Sequence, residues 1–143
     1  MNTSNKTVIT VQASVNAPIE KVWDYWNNPD HITQWCSASD DWHTPTASND
    51  LRTGGTFNSR MEARDGSMGF DFGGIYDAVE THSKIAYTIG DGRKVEVLFS
   101  AQQEGGPVVI VESFEAEELN PVEMQRGGWQ AILDNFKRYT ESH

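Results

Sequence analysis

Few side chains in this sequence could do chemistry, and their spacing limits what they could do together. Cys36 is the single cysteine, and His31 precedes it by five residues. On a helix that spacing turns the two side chains apart, and no glycine-rich turn surrounds the cysteine to present it as a nucleophile. A buried or partly buried thiol is the expected state. One cysteine also excludes an intrachain disulfide and any multi-thiolate site. His31, His43, His82 and His143 have no paired ligand spacing, so no metal is expected. Asp40 and Asp41 are adjacent, and in a strand they face opposite sides and cannot act as an acid/base pair. Asp50 and Arg52 flank a glycine turn and could clamp an anionic group, although an ion pair fixing that turn accounts for both. Glu112 points inward if Ile110 and Phe114 do, and to solvent if Val109 and Val111 are the inward set. Both registers are open. Glu112, Glu115, Glu117, Glu118 and Glu123 together read as a solvated acidic edge, with a basic partner as the alternative.

The elements that must carry these groups follow from hydrophobic period. Residues 7–15 alternate, with Ile9, Val11, Ala13 and Val15 on one side, which predicts a half-buried strand. Asn16-Ala17-Pro18 offers a cap and a proline at or near the first helical position, and Ile19, Val22, Trp23 and Trp26 then share a helical face. Asn27-Asn28-Pro29 ends that helix and opens a second, over residues 30–35. The middle of the chain reads as strands parted by turns at residues 51–55, at Asp65-Gly66 and at Asp91-Gly92. Residues 40–46 make a poor strand by composition. Gly73-Gly74 predicts a bulge that bends its strand. A last strand spans residues 108–116. Asn120-Pro121 repeats the cap-then-proline signal and opens a helix to about residue 141. Its stripe of Met124, Trp129, Ile132, Leu133, Phe136 and Tyr139 requires Trp129 to be fully buried. Gly127-Gly128 costs this helix about 1 kcal/mol per glycine relative to alanine, which predicts a close approach there.

The order is therefore one strand, two short helices, about six strands and one long helix. At 143 residues this is one domain, with residues 1–6 expected as a flexible tail. Eleven Lys and Arg against 21 Asp and Glu give a net charge of −10, and no basic run exceeds two residues. Nucleic acid and anionic membrane surfaces are therefore not expected partners. The start of the chain lacks the apolar core of a signal peptide and no apolar run is long enough to span a bilayer, so a soluble, cytoplasmic protein is expected.

Hairpin-linked strands make an antiparallel sheet with one apolar face, which the long helix must cover. In this order, Asn16-Ala17-Pro18, Val22-Trp23, Pro29, Trp35, Asp50-Leu51-Arg52-Thr53-Gly54-Gly55-Thr56-Phe57, Asp65-Gly66, Gly74-Ile75-Tyr76, Asp91-Gly92-Arg93, Asn120-Pro121 and Gly127-Gly128-Trp129 resemble a known pattern. It is that of the START-like (SRPBCC, helix-grip) superfamily, in the branch of heat-shock-protein ATPase activator homologues, over nearly the whole chain. The resemblance implies an α+β helix-grip fold: a curved antiparallel sheet of about six or seven strands wrapped on the C-terminal helix, with two short helices after the first strand. It also implies a cavity between sheet and helix, with Trp35 and Trp42 at its entrance. The inward candidates Phe57, Met61, Met68, Phe70, Phe72, Tyr87, Val97, Phe99, Trp129 and Ile132 could line that cavity or fill the core completely, and the sequence leaves the choice open. The expected function is binding of an apolar or aromatic small molecule, without a cofactor, by a monomer or homodimer. The alternative is a protein-interaction module related to chaperone ATPase activators. A cyclase- or hydrolase-type enzyme, as found elsewhere in the superfamily, lacks support in the residues.

Overall fold

Alternation assigns each strand an apolar face, and the tight turns pair the strands in the order in which they follow one another. The computed structural model describes residues 7–37, 39–101, 103 and 106–143, so the expected tail at 1–6 lies outside the described residues. The elements are β1 Val8–Val15, α1 Ile19–Asn27, α2 Pro29–Trp35, β2 Trp42–Asn49, β3 Thr56–Ala63, β4 Gly69–Glu80, β5 Lys84–Ile89, β6 Lys94–Ala101, β7 Val108–Glu115 and α3 Val122–Ser142. They form one antiparallel sheet in the order β1-β7-β6-β5-β4-β3-β2. Gly66 and Gly92 take positive φ at the β3–β4 and β5–β6 turns, as their Asp-Gly pairs predict. The helix-grip expectation holds: seven strands, two short helices after β1, and α3 packed on the sheet. No helix among the described residues is long and apolar enough to cross a membrane.

The core lies between the inner face of the sheet and the helices. Ile9, Val15, Val97, Val108, Ile110, Leu133 and Phe136 are fully buried there. In β7 the buried residues are Val108, Ile110, Glu112 and Phe114, which settles its register and turns Glu112 inward. Along β1, α3 is tied by Gln130 Nε2 donating to the Gln12 carbonyl at 3.1 Å and Lys137 Nζ donating to the Ser14 carbonyl at 2.7 Å.

Local signals translate unevenly. Asn28 caps α2 by accepting from the Asp30 N–H at 3.0 Å, with Pro29 in the first helical position. At the other two helix starts the proline itself is the cap residue, and no side chain caps the helix. Asn16 instead donates its backbone N–H to Glu141 at 2.7 Å, and the Asn120 side chain donates to Glu117. Gly73-Gly74 is not the bulge; the register of β4 slips between Tyr76 and Ala78. These glycines serve close packing, since a Cβ on Gly74 would stand 2.3 Å from the Thr88 carbonyl oxygen. The segment with poor strand composition still pairs, as the edge strand β2, with its register broken between His43 and Thr46, around Pro45. An edge tolerates a proline because one side of the backbone needs no ladder partner.

Candidate functional site

The inward positions of α3, at spacings of three and four, are Gln125, Gly128, Trp129, Ile132, Leu133 and Phe136. The last two fill space, and the first three do not. Gln125 turns back to its own end of the helix, where its amide donates to the Glu117 and Asn120 carbonyls at 3.2 and 2.8 Å and its Oε1 accepts from the Glu117 N–H at 2.8 Å. Gly128 has no side chain. Trp129 lies flat on Phe114, with ring centroids 3.8 Å apart and planes 12° from parallel. A cavity of about 460 Å³ remains beneath this half of the helix. The close approach expected at Gly127-Gly128 is absent: a Cβ on either glycine would meet nothing within 4 Å, and Gly128 lines the cavity.

Nine of the twelve residues singled out from sequence line this space: Trp35, Trp42, Phe57, Met61, Phe70, Phe72, Tyr87, Trp129 and Ile132. Phe57 packs edge-on to Tyr87 at 4.8 Å, and Phe72 edge-on to Trp129 at 6.0 Å. Trp42 and Phe70, 5.9 Å apart, stand together on the more exposed side. The other three, Met68, Val97 and Phe99, do not line it. Met68 falls in the turn before β4 and is 66% exposed. Val97 and Phe99 do face inward, but at positions that are packed solid; Phe99 meets Trp23 at 5.2 Å and Trp26 at 5.6 Å. Trp129 is half-buried rather than fully buried, because one side of it borders the cavity.

Several lining residues escaped the sequence reading. Ser59 carries a signal, since it alternates with Phe57 and Met61. Asn27 and Asn49 carry none; their place is fixed by a chain in which Tyr76 Oη donates to Asn49 Oδ1 at 2.5 Å, Asn49 Nδ2 to the Asn27 carbonyl at 2.7 Å, and Asn27 Nδ2 to the Trp23 carbonyl at 2.9 Å. Burial raises the Tyr76 hydroxyl above its ordinary range despite the bond to Asn49. This wall of the cavity has its polar groups paired.

Glu112 departs from this. Glu112 is 6% exposed, lines the cavity, and has no hydrogen-bond or ion-pair partner among the described residues; burial alone pushes its carboxyl up to about 8. Tyr87 is held well above its usual value by burial first and by Glu112 next. Burial lifts the Cys36 thiol to about 12, with Thr44 pulling the other way and Glu112 adding a little. A thiol kept protonated is a poor nucleophile. His31 is directed elsewhere: it is stacked on Tyr25 and its Nδ1 lies 2.7 Å from the Tyr139 hydroxyl. Among the described residues no group of three possible metal ligands forms. Arg93 reaches the cavity rim, where Asp91 holds it at 2.8 Å and the Glu115 carbonyl accepts from it at 3.2 Å. Asp50 and Arg52 form an exposed ion pair at 2.9 Å and do not line the cavity, as the turn-fixing role predicts. Of the acidic run, Glu112 and Glu117 belong to the cavity lining rather than to a solvated edge.

Comparison with known proteins places this architecture. The family model described as "Activator of Hsp90 ATPase homolog 1-like protein" matches residues 16–141. No curated protein matches the chain. Among solved structures, the AHSA1-like protein from Aeromonas hydrophila is 44% identical, with a TM-score of 0.87 over 95% of this chain and 93% of that one. A protein of Cytophaga hutchinsonii is 57% identical, with a TM-score of 0.79 over 97% of this chain and 94% of that one. A Nitrosomonas europaea protein at 14% identity still reaches a TM-score of 0.79, over 94% of both chains, and so shares the fold alone. With the family pattern covering all but the ends of the chain, the protein belongs to the activator of Hsp90 ATPase homologue 1-like family, on the START-like helix-grip fold.

Proposed function

We propose that this protein binds a small apolar or aromatic molecule in the cavity between the sheet and α3. The observation that carries the reading is the cavity itself: about 460 Å³, walled largely by aromatic side chains and Met61. Ligand pockets run to roughly 300–1,000 Å³ with a few convergent polar groups. A side-chain-filled interface would leave voids of no more than a few waters. Binding without turnover is supported by the chemistry of the lining, where the thiol is held protonated and the histidine nearest in sequence is directed to Tyr25 and Tyr139. A lone thiol also suits a reducing compartment, which supports a cytoplasmic site of action.

Intrinsic fluorescence tests this directly, because Trp35, Trp42 and Trp129 line the cavity. Titration with flavonoids, steroids, fatty acids and arylalkyl compounds is expected to quench or shift the emission for at least one class, with a Kd below about 100 μM, roughly −5.5 kcal/mol. Replacing Phe72 or Met61 by a charged residue should weaken the response. Native mass spectrometry of freshly purified protein should show retained ligand and subunit number together. If no class binds below that limit, the reading fails.

The second reading is a protein-interaction module. It is supported by apolar side chains exposed on the cavity rim, with Met124 at 64% and Phe70 at 47%, and by the activator name that the family carries. Loss of ligand response together with capture of a chaperone by the wild type, but not by a Phe70→Ser, Met124→Ser variant, would put it first.

A further inference from the structure

The apolar lining of the cavity is interrupted where Glu112 enters it from the middle of β7, opposite Val11 on β1 and Val97 on β6. A buried carboxyl without a partner is costly, and proteins ordinarily pair such a group or leave it outside. Among the described residues, none of the elements packed around it sets a positive charge against it. The end of α2 brings the Cys36 thiol, β5 brings the Tyr87 hydroxyl and β4 the Tyr76 hydroxyl, and the inward residues of α3 here are Gln125, Trp129 and Ile132. At the rim, Arg93 is occupied by Asp91 and the Glu115 carbonyl, beside another acid, Glu117. The hydrogen-bonding capacity of Glu112 is therefore free for whatever occupies the cavity.

Three features decide what that is. Rings of Phe57, Phe72, Tyr87 and Trp129 surround the space, and aromatic faces attract cations. The net charge of −10 raises the local concentration of cations and lowers that of anions. A ligand carboxylate would face Glu112 with no cation between them, so a fatty acid is the wrong complement. We propose that Glu112 anchors a protonated amine: the cavity takes an organic monocation with an aromatic or alicyclic body, its ammonium group against Glu112 and Tyr87 and its body among the surrounding rings. This rests on the ligand-binding reading above and adds the chemical class. In the empty cavity at neutral pH the carboxyl holds its proton, so binding the ammonium ionises Glu112 and releases that proton to solvent.

Calorimetry on the full chain with 4-phenylbutylamine, 4-phenylbutanol and 4-phenylbutanoate separates the possibilities. At pH 8 the amine should bind at least tenfold tighter than the alcohol, and the carboxylate weakest. At pH 7, in two buffers of different ionisation enthalpy, the amine should release most of one proton and the alcohol none. Between pH 6 and pH 8 amine affinity should climb, approaching about tenfold per unit at the acid end, while the alcohol stays flat; alkylamines keep their charge to roughly pH 10. Glu112→Gln should bring the amine down to the level of the alcohol and leave the alcohol within about threefold. An amine no tighter than the alcohol, or a Gln variant that keeps the preference, overturns the anchor while leaving the cavity reading intact. Should all three probes fail to bind and no retained ligand appear by mass spectrometry, both readings fall. The pH series needs only wild-type protein, so it stands even if the variant does not fold.

Discussion

Two halves of one helix face the same sheet with opposite results. Toward its C-terminus α3 presents Leu133, Phe136 and Thr140, all fully buried, and Phe136 meets Trp26 and Trp35 edge-on, each at 4.9 Å. Toward its N-terminus it presents Gln125, Gly128 and Trp129, and the space beneath stays open. The periodicity is the same in both halves; side-chain volume and the third layer differ. At the closed end α1 and α2 add Trp23, Trp26 and Trp35 to the interface. The hydroxyl of Thr140 is buried there with no partner among the described residues. At the open end Glu112 faces the cavity unpaired. A helix-grip interface is thus stabilised at one end and left unfilled at the other, and the unfilled end is where a ligand could supply the missing contacts.

Alanine substitution gives the widest separation between the halves. Phe136→Ala removes a ring with no solvent exposure and should destabilise by about 3–5 kcal/mol. Trp129→Ala, despite the larger side chain, should cost only about 1–2 kcal/mol, because part of its surface faces empty space and its main contact is the stack on Phe114. Urea unfolding of both variants measures the difference. Equal losses would mean that the open end is packed as tightly as the closed one.

An effect that is smaller at any one pH step, and graded across several, comes from titration. The Glu112 carboxyl sits at about 8 in the folded chain against 4.5 for an unhindered one, so between those values the folded state binds a proton that the unfolded state does not. Its contribution to stability is fully present below about pH 4.5 and is lost as pH rises through about 8, at a slope on the order of 1 kcal/mol per pH unit. Glu112→Gln should remove that slope, and the variant should overtake the wild type in stability as pH approaches 8. Parallel pH–stability curves for the two proteins would show that the carboxyl is solvated rather than buried.

The closed end was more legible in the sequence than the open one, for a physical reason. Strand alternation and the α3 stripe report which residues face inward, and Ile9, Val15, Leu133 and Phe136 are buried as the pattern requires. Whether inward residues meet each other is a matter of summed volume in three dimensions, which period does not encode. That is why Phe57 and Phe99, equal by pattern, end in a cavity wall and in solid core respectively. Glu112 was ambiguous because β7 is apolar on both faces; only pairing to β1 and β6 fixes its direction. Asn27 and Asn49 are invisible in sequence because the contact that joins them crosses from α1 to β2, and Asn49 is met by Tyr76 of β4. The glycine pairs are conspicuous in sequence but their roles are not: Gly73-Gly74 marks strand packing rather than a bulge, and Gly127-Gly128 marks space rather than contact.

The helix glycines carry the smallest difference between the two ends. Glycine inside a helix is less favourable than alanine by about 0.5–1 kcal/mol, and neither Gly127 nor Gly128 has an atom within 4 Å of where a Cβ would go. Gly127→Ala and Gly128→Ala should therefore each raise stability by about that amount. Their positions differ in one respect: Gly127 is exposed, whereas Gly128 borders the cavity. The Gly127 variant should bind a cavity ligand as the wild type does. The Gly128 variant should be equally stabilised and yet bind a bulky ligand several-fold more weakly, because its methyl group takes room that the ligand needs. Stability and affinity moving in opposite directions at Gly128 alone would tie the glycine to the ligand rather than to the fold. Unchanged affinity in both variants would place the ligand elsewhere in the cavity, toward Trp42 and Phe70 on the far side.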